Sequence, residues 1–277
     1  MKHQIGVRGR EWFRALTGSG TPQSGDPASV LASKASLGSG EALFLCVVPN
    51  PESRFPCVRD GQVGLEEAYA LASHIRALIA EDEGKPQEEK RPIIAIIDVK
   101  SQAYGRREET VGIFLAAATA ADAYATARMK GHPVVSLIVG HAFSGGFLTH
   151  GYQANRLVAF DDKEVVIHAM HEEAAARITR RSVADLLRLG HEIPPMSYDV
   201  HDYAKLGLLY ELLHIESPEE PVESDIAKVS QSLVSAIADC ANGERDLSNR
   251  WKNPQANVMR KAGNAVRERM EQEWLGA

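Results

Sequence analysis

Continuous apolar runs alternate with amphipathic stretches through the middle of the chain, and that alternation predicts a layered α/β protein. Ala42 to Val48 (ALFLCVV), ended by Pro49 and Pro51, and Ile93 to Asp98 (IIAIID) are short enough to read as buried strands. Leu65 to Ala80 has the spacing of an amphipathic helix, and Glu108 to Met129 reads as one long Ala-rich helix closed by Gly131 and followed by Pro133. A third apolar run, Val134 to Val139 (VVSLIV), passes through glycines into a short helix and then into a fourth run, LVAF, ending at Phe160. Strands that are apolar throughout need cover on both faces. The repeated β-α-β pattern therefore implies a mainly parallel sheet with right-handed crossovers.

The flanks read differently. Arg8 to Leu16 predicts a short amphipathic helix, and Thr17 to Gly40, rich in Gly, Ser, Pro and Ala, reads as a mobile connector. Residues 1–40 are thus expected to form an N-terminal helix with a flexible connector, and residues 41–277 the main domain. From Ala169 onward the pattern is mostly helical and ends in a charged helix, Asn253 to Trp274. Trp251 and Trp274 are expected to pack on the sheet or on a partner.

The most informative stretch is PVVSLIVGHAFSGGFLTHGYQANRLVAF, from Pro133 to Phe160, where a buried strand runs through small residues into a helix. The first amides of a helix lack partners within it, and missing side chains let an acyl oxygen approach them. Ser144, Gly145 and Gly146 therefore read as half of an oxyanion site. The loop after IIAIID, VKSQAYGRREE, also presents small residues and a glycine before a helix, at the same carboxyl edge of the sheet. Two amide donors converging from two loops would suit an enolate, each contributing about 3 kcal/mol when well aimed in a dry pocket. The Gly-x-Gly-x-x-Gly spacing of a dinucleotide site is absent, as is the Gly-x-Ser-x-Gly elbow that would make Ser144 a hydrolase nucleophile.

Composition narrows the partners. With 31 basic against 37 acidic residues the formal charge is −6, which argues against a nucleic-acid surface. No apolar run is long enough to cross a membrane and the N-terminus lacks a signal-peptide core, so a cytoplasmic protein is expected. Cys46, Cys57 and Cys240 are unclustered and read as small, buried or half-buried side chains. His168 and His171 near Glu172 and Glu173 lack a metal-ligand pattern, and helix capping accounts for them, so no metal is assigned.

Together, IIDVKSQAYGRREE, the Ala-rich helix, HPVVSLIVGHAFSGGFLTHGYQANRLVAF and VVIHAMHEEAA resemble the acyl-CoA carboxyltransferase branch of the crotonase superfamily. More closely, the chain is similar to the γ subunits of biotin-independent malonate decarboxylases, at the motif level over roughly residues 40 to 240. The resemblance implies a crotonase-like α/β spiral with a mainly parallel sheet and C-terminal helices. It also implies a β-subunit partner that completes the site. The implied substrate is malonyl thioester on an acyl-carrier protein bearing a CoA-derived arm, decarboxylated to acetyl thioester through an enolate. By the same resemblance the first donor loop falls at Ala103, Tyr104 and Gly105, the second at Ser144, Gly145 and Gly146, with Gln102, Phe143, Arg106 and Tyr152 near the substrate. His141, Ala142 and Phe143 replace glycines common in carboxylases, which is expected to narrow the pocket, so no biotin is expected. His141 is the first choice for the proton donor, with His150, Tyr104 and Tyr152 as alternatives. Arg106, Arg107, Arg177, Arg180 and Arg181 are candidates for holding phosphates or a carrier's acidic face, or are a solvated surface. Two other readings stay open: a carboxyltransferase subunit of a biotin-dependent carboxylase, and a non-catalytic scaffold.

Overall fold

A computed structural model describes residues 5–276. Its strands are β1 Val30–Leu37, β2 Gly40–Val47, β3 Ile93–Val99, β4 Val134–Phe143, β5 Arg156–Phe160, β6 Val166–His168 and β7 Glu211–Leu213. Its helices are α1 Val7–Thr17, α2 Leu65–Glu81, α3 Arg106–Thr110, α4 Ile113–Met129, α5 Ser144–Thr149, α6 Glu172–Thr179, α7 Val183–Glu192, α8 Val200–Lys205, α9 Glu223–Asn242, α10 Asn249–Lys252, α11 Pro254–Met259 and α12 Lys261–Leu275. The strands form one sheet in the order β1-β2-β3-β4-β5-β7, with β6 alongside the far end of β4. The β1–β2 pair is antiparallel and all the other pairs are parallel.

Every residue of β3 is buried, because the sheet is covered on both faces. Helices α2 and α4 pack together on one face, while α1 and α9 meet on the other. The core joins strand residues such as Ile94, Ile96 and Leu137 to Leu71 and Ile75 from α2 and to Trp12 and Phe13 from α1. Trp12 meets Phe160 edge-on at 4.8 Å, so the first helix is part of the core.

Several expectations need correction. The stretch read as a connector holds β1, whose eight residues pair in register with β2 from Val30↔Val47 to Leu37↔Gly40. The anticipated boundary near residue 40 therefore falls within a hairpin. The single Ala-rich helix is broken into α3 and α4 at Gly112, whose φ of 88° favours a residue without a Cβ. The terminal charged helix is likewise two helices, and none of α12 is buried. Trp274 is 86% exposed and Trp251 42%, so of the two expected settings, sheet or partner, the sheet does not hold them.

One irregularity places the site. Between Ile97↔Ile138 and Val99↔Ala142, β4 advances four residues while β3 advances two, so β4 bulges outward. The bulged His141 amide is met by the fully buried Asp98, whose Oδ1 accepts it at 3.1 Å. The other oxygen of Asp98 accepts the Gly6 amide at 2.7 Å, at the start of α1. Arg8, 2% exposed, secures the same helix by donating to Glu219 at 2.6 Å, Asp162 at 3.0 Å and the Val139 carbonyl at 3.2 Å. The first helix is thereby tied to the strand that leads into the glycine junction.

Candidate active site

Strand β4 ends at Phe143, and the chain enters α5 through Ser144 with a φ of +54°. That left-handed conformation is costly for a residue with a Cβ, and such strain gathers at functional turns. Gly146 is fixed by contact: a Cβ there would lie 2.4 Å from the Ser101 carbonyl oxygen. The two loops singled out from the sequence thus touch each other at the carboxyl edge of the sheet.

Their chemistry differs from the expected pair of amide donors. Gly145 N–H donates to the side-chain Oε1 of Gln102 at 2.9 Å, so one amide points out of the junction at a carbonyl oxygen. In the first loop, Ala103 is fully buried and its amide donates to the Val63 carbonyl at 2.7 Å. The Tyr104 amide donates to the Gln102 carbonyl at 2.9 Å. The Ala103 and Tyr104 amides are therefore spent locally, the first of them in a short parallel bridge between residues 101–103 and Val63. That loop supplies an acceptor, Gln102, in their place. Gly105 has an extended φ of 177°, and a Cβ on it would meet Glu108 Oε2 at 2.6 Å. Tyr104 is 56% exposed, and Arg106 is exposed at the first position of α3.

A cavity of about 260 Å³ opens beside the junction, lined by Ala142, Ser144, Gly145, Phe147, Leu148 and Tyr152, with Ile167, His168, Ala169, Tyr203 and Leu208 on the facing side. Ser144, Phe147 and Leu148 are the inward stripe of α5, as expected of positions three and four apart. Tyr152 is held as a wall by Arg250, whose guanidinium lies 4.8 Å from the ring centroid and donates to the Tyr152 carbonyl at 2.7 Å. The lining is mainly apolar, which strengthens any hydrogen bond made inside it.

The histidines are sorted by strand parity. Ala142 faces the cavity, while His141 and Phe143, one residue to either side, point to the opposite face of β4. There His141 meets Phe143 edge-on at 5.3 Å, and Phe143 stacks on His171 at 4.0 Å. Phe143, expected near the substrate, is 5% exposed and packs in this aromatic layer. The expected narrowing by His141 and Phe143 therefore acts away from the cavity, and only the Ala142 methyl faces it. His150 is fully buried: its Nε2–H donates to the Ile96 carbonyl at 3.1 Å and its Nδ1 accepts from Tyr124 Oη at 2.9 Å. Burial pushes its pKa down to about 4, and the side chain is sealed in the core. His171 does not cap α6 through its side chain; Nε2 meets the Lys100 carbonyl at 3.1 Å and steadies the first loop.

His168, assigned to capping by the sequence, borders the cavity at the end of β6, but its register partner is Phe143, so its ring belongs to the face that carries Phe143 and His171. It ends β6 opposite Phe143, its ring stacks on Tyr198 at 3.9 Å, and its Nδ1 lies 3.1 Å from the Met170 amide and 2.8 Å from the Met170 carbonyl. Burial lowers its pKa from the ordinary value, favouring the neutral ring. The sequence gives little warning of it, because β6 is three residues long and pairs beyond the bulge in β4. Among the described residues no group of three His, Cys, Asp or Glu side chains is placed to hold a metal, and no helix is long and apolar enough to cross a membrane.

A family model for the malonate decarboxylase gamma subunit matches residues 58–274. In the crystal structure of a Pseudomonas malonate decarboxylase hetero-tetramer in complex with coenzyme A, a chain 47% identical superimposes with a TM-score of 0.89, covering 95% of this chain and 99% of that one. A Pseudomonas MdcD-MdcE hetero-dimer gives 47% identity and a TM-score of 0.87 over 96% of this chain. Transcarboxylase 12S, 16% identical with a TM-score of 0.62, shares the fold. A curated relative from Malonomonas rubra, a malonyl-S-ACP:biotin-protein carboxyltransferase, is 36% identical over 161 residues. That match takes in 58% of this chain and about half (55%) of the relative's length.

Proposed function

The chain belongs to the malonate decarboxylase gamma-subunit family, and from that premise we propose that it forms the enolate-stabilising half of a heteromeric active site. The substrate in this reading is malonyl thioester on an acyl-carrier protein, and the products are acetyl thioester and carbon dioxide. The carrier's CoA-derived arm is part of the substrate, no biotin takes part, and the complex works in the cytoplasm. The observation that carries the reading is the Gly145 amide, held 2.9 Å from a carbonyl oxygen at the rim of an apolar cavity.

The chemistry follows from that placement. Breaking the bond between C2 and the carboxylate leaves its electron pair on C2 and the thioester oxygen, so the barrier falls where that oxygen is hydrogen-bonded. When the thioester carbonyl takes the place of Gln102 Oε1, the Gly145 amide becomes its donor. The Ala103 and Tyr104 amides are engaged within their own loop, and a second donor is assigned to the β subunit. Tyr104, Val111, Phe114, Leu115 and Leu148 are large apolar side chains, each more than half exposed, around the loop and helices that flank the junction. We assign that face to the β subunit, in line with the hetero-dimer in which the Pseudomonas relative is found.

The biotin-linked relative favours a second reading, transfer of the carboxyl group to a biotin protein. Full-length similarity to the decarboxylase chains weighs against it. Purified complex is expected to release carbon dioxide from malonyl thioester in the presence of excess avidin. Loss of turnover on adding avidin would establish the carboxyltransferase reading instead.

A further inference from the structure

We propose that Arg250 is a specificity-determining residue: its buried guanidinium, set against Tyr152 in the cavity wall with no carboxylate to neutralise it, favours the anionic malonyl group over neutral acyl groups. The inference rests on the decarboxylation reading and deepens it. Arg250 comes from α10 and is 4% exposed. Its guanidinium lies 4.8 Å from the centroid of the Tyr152 ring, and Nη2 donates to the carbonyls of Tyr152 and Ala154 at 2.7 Å each. Its Nε is buried without a partner, and among the described residues Arg250 makes no ion pair. The side chains that act on its charge include Tyr152 and Tyr203, which both line the cavity, and a second cation, Arg260.

A third cation grips the same turn. Arg128, 6% exposed, donates from Nε to the Gln153 carbonyl at 3.0 Å, and repulsion from Arg250 adds to burial in lowering its pKa. Asp246 attracts Arg128, whereas Arg250 is set against aromatic rings. A guanidinium keeps its proton even when buried, so the charge behind this wall persists. At an effective dielectric of about 20, one charge changes affinity for an opposite charge roughly 10 Å away by about tenfold.

The charge of the acyl group changes once in the cycle. Malonyl carries one negative charge on its carboxylate. Carbon dioxide leaves neutral, the electron pair of the broken bond stays in the enolate, and protonation at C2 then gives a neutral acetyl group. Carboxylate and enolate oxygens are only a few bonds apart, while the cation acts on both from beyond the wall. It therefore stabilises bound substrate and enolate nearly alike, changing KM more than kcat. It gives no such hold on the acetyl product, which favours product departure.

The test compares malonyl thioester on the carrier protein with malonamyl thioester, in which a neutral carboxamide of nearly the same shape replaces the carboxylate. Complex is assembled with wild-type, R250K or R250M chain, and the quantity read is the ratio of Ki for malonamyl to KM for malonyl thioester. A ratio of about ten or more is expected for wild type, kept within about threefold in R250K and falling to about one in R250M. In R250M the change is expected in KM for malonyl thioester, with kcat altered much less. A purely structural brace on the turn would move Ki and KM together and leave the ratio as it was. Should R250M fail to assemble, wild type and R250K decide. A wild-type ratio near one, an unchanged ratio in assembled R250M, or a ratio near one in R250K overturns the assignment. Absence of carbon dioxide release from the wild-type complex would instead refute the decarboxylation reading, and the ratio would then be taken from dissociation constants.

Discussion

Gln102 Oε1 sits 2.9 Å from the Gly145 amide and occupies the position where an acyl oxygen would be received. A carboxamide oxygen is close in shape and polarity to a thioester carbonyl, so it satisfies the donor while the pocket is empty. Substrate must displace it. One neutral hydrogen bond is worth about 0.5–1.5 kcal/mol net, so Q102A is expected to lower KM for malonyl thioester by about 2–10-fold with kcat largely kept. Steady-state kinetics on the assembled complex decide: a raised KM with a lower kcat would make Gln102 a brace between the loops.

Gly146 faces the Ser101 carbonyl so closely that a Cβ would fall 2.4 Å from its oxygen. G146V must push the two loops apart, turning the Gly145 amide away from its target. Turnover is expected to fall by about two orders of magnitude, the size of a lost oxyanion donor. If the variant still co-elutes with its partner and keeps near-normal turnover, the chain is a scaffold.

His150 makes a contribution to acid stability that can be signed. Its folded pKa, near 4, lies below the ordinary histidine value of 6.5, so above pH 6.5 the ring is neutral in both states and the interaction is intact. As pH falls from 6.5 towards 4 the unfolded chain takes up a proton that the folded core refuses, and stability is lost by about 3 kcal/mol. Urea denaturation at a series of pH values should show this slope in the wild type and a shallower one in H150Q. Parallel slopes would show that His150 does not carry it.

Arg8 holds the first helix through a carbonyl and two carboxylates while being almost fully buried. R8A leaves the Val139 carbonyl and partly buried acids without that donor. A loss of about 2–3 kcal/mol in denaturant stability is expected. A change under about 0.5 kcal/mol would place these contacts among weak surface pairs.

Arg180 and Arg181 lie exposed at the end of α6, where they remain candidates for meeting an acidic carrier protein. Reversing both charges is expected to weaken carrier binding about tenfold at low ionic strength, with the difference shrinking as salt is raised. Titration calorimetry at two salt concentrations measures it, and unchanged affinity at low salt would assign these residues to a solvated surface.

Much of this was legible in the residues. ALFLCVV, IIAIID and VVSLIV announce buried parallel strands because nothing polar interrupts them, and FSGGF announces the junction because only small residues fit between strand and loop. β1 escaped notice because VLASKASL alternates weakly at a sheet edge, its pairing set by β2 and not by its own propensity. The placing of the histidines was not legible for a geometric reason. Which face His141 occupies depends on a bulge in β4, and which face His168 occupies depends on pairing between segments distant in sequence, neither of which a linear pattern encodes.

The carboxylate of Asp98 holds the leading helix with one oxygen and the bulged strand with the other. Disturbance at the amino end, by a clipped peptide or a bulky fusion, will therefore be felt as a change in catalytic geometry as well as in folding. Affinity handles for producing this subunit belong on the opposite terminus, where α12 contributes nothing to the interior.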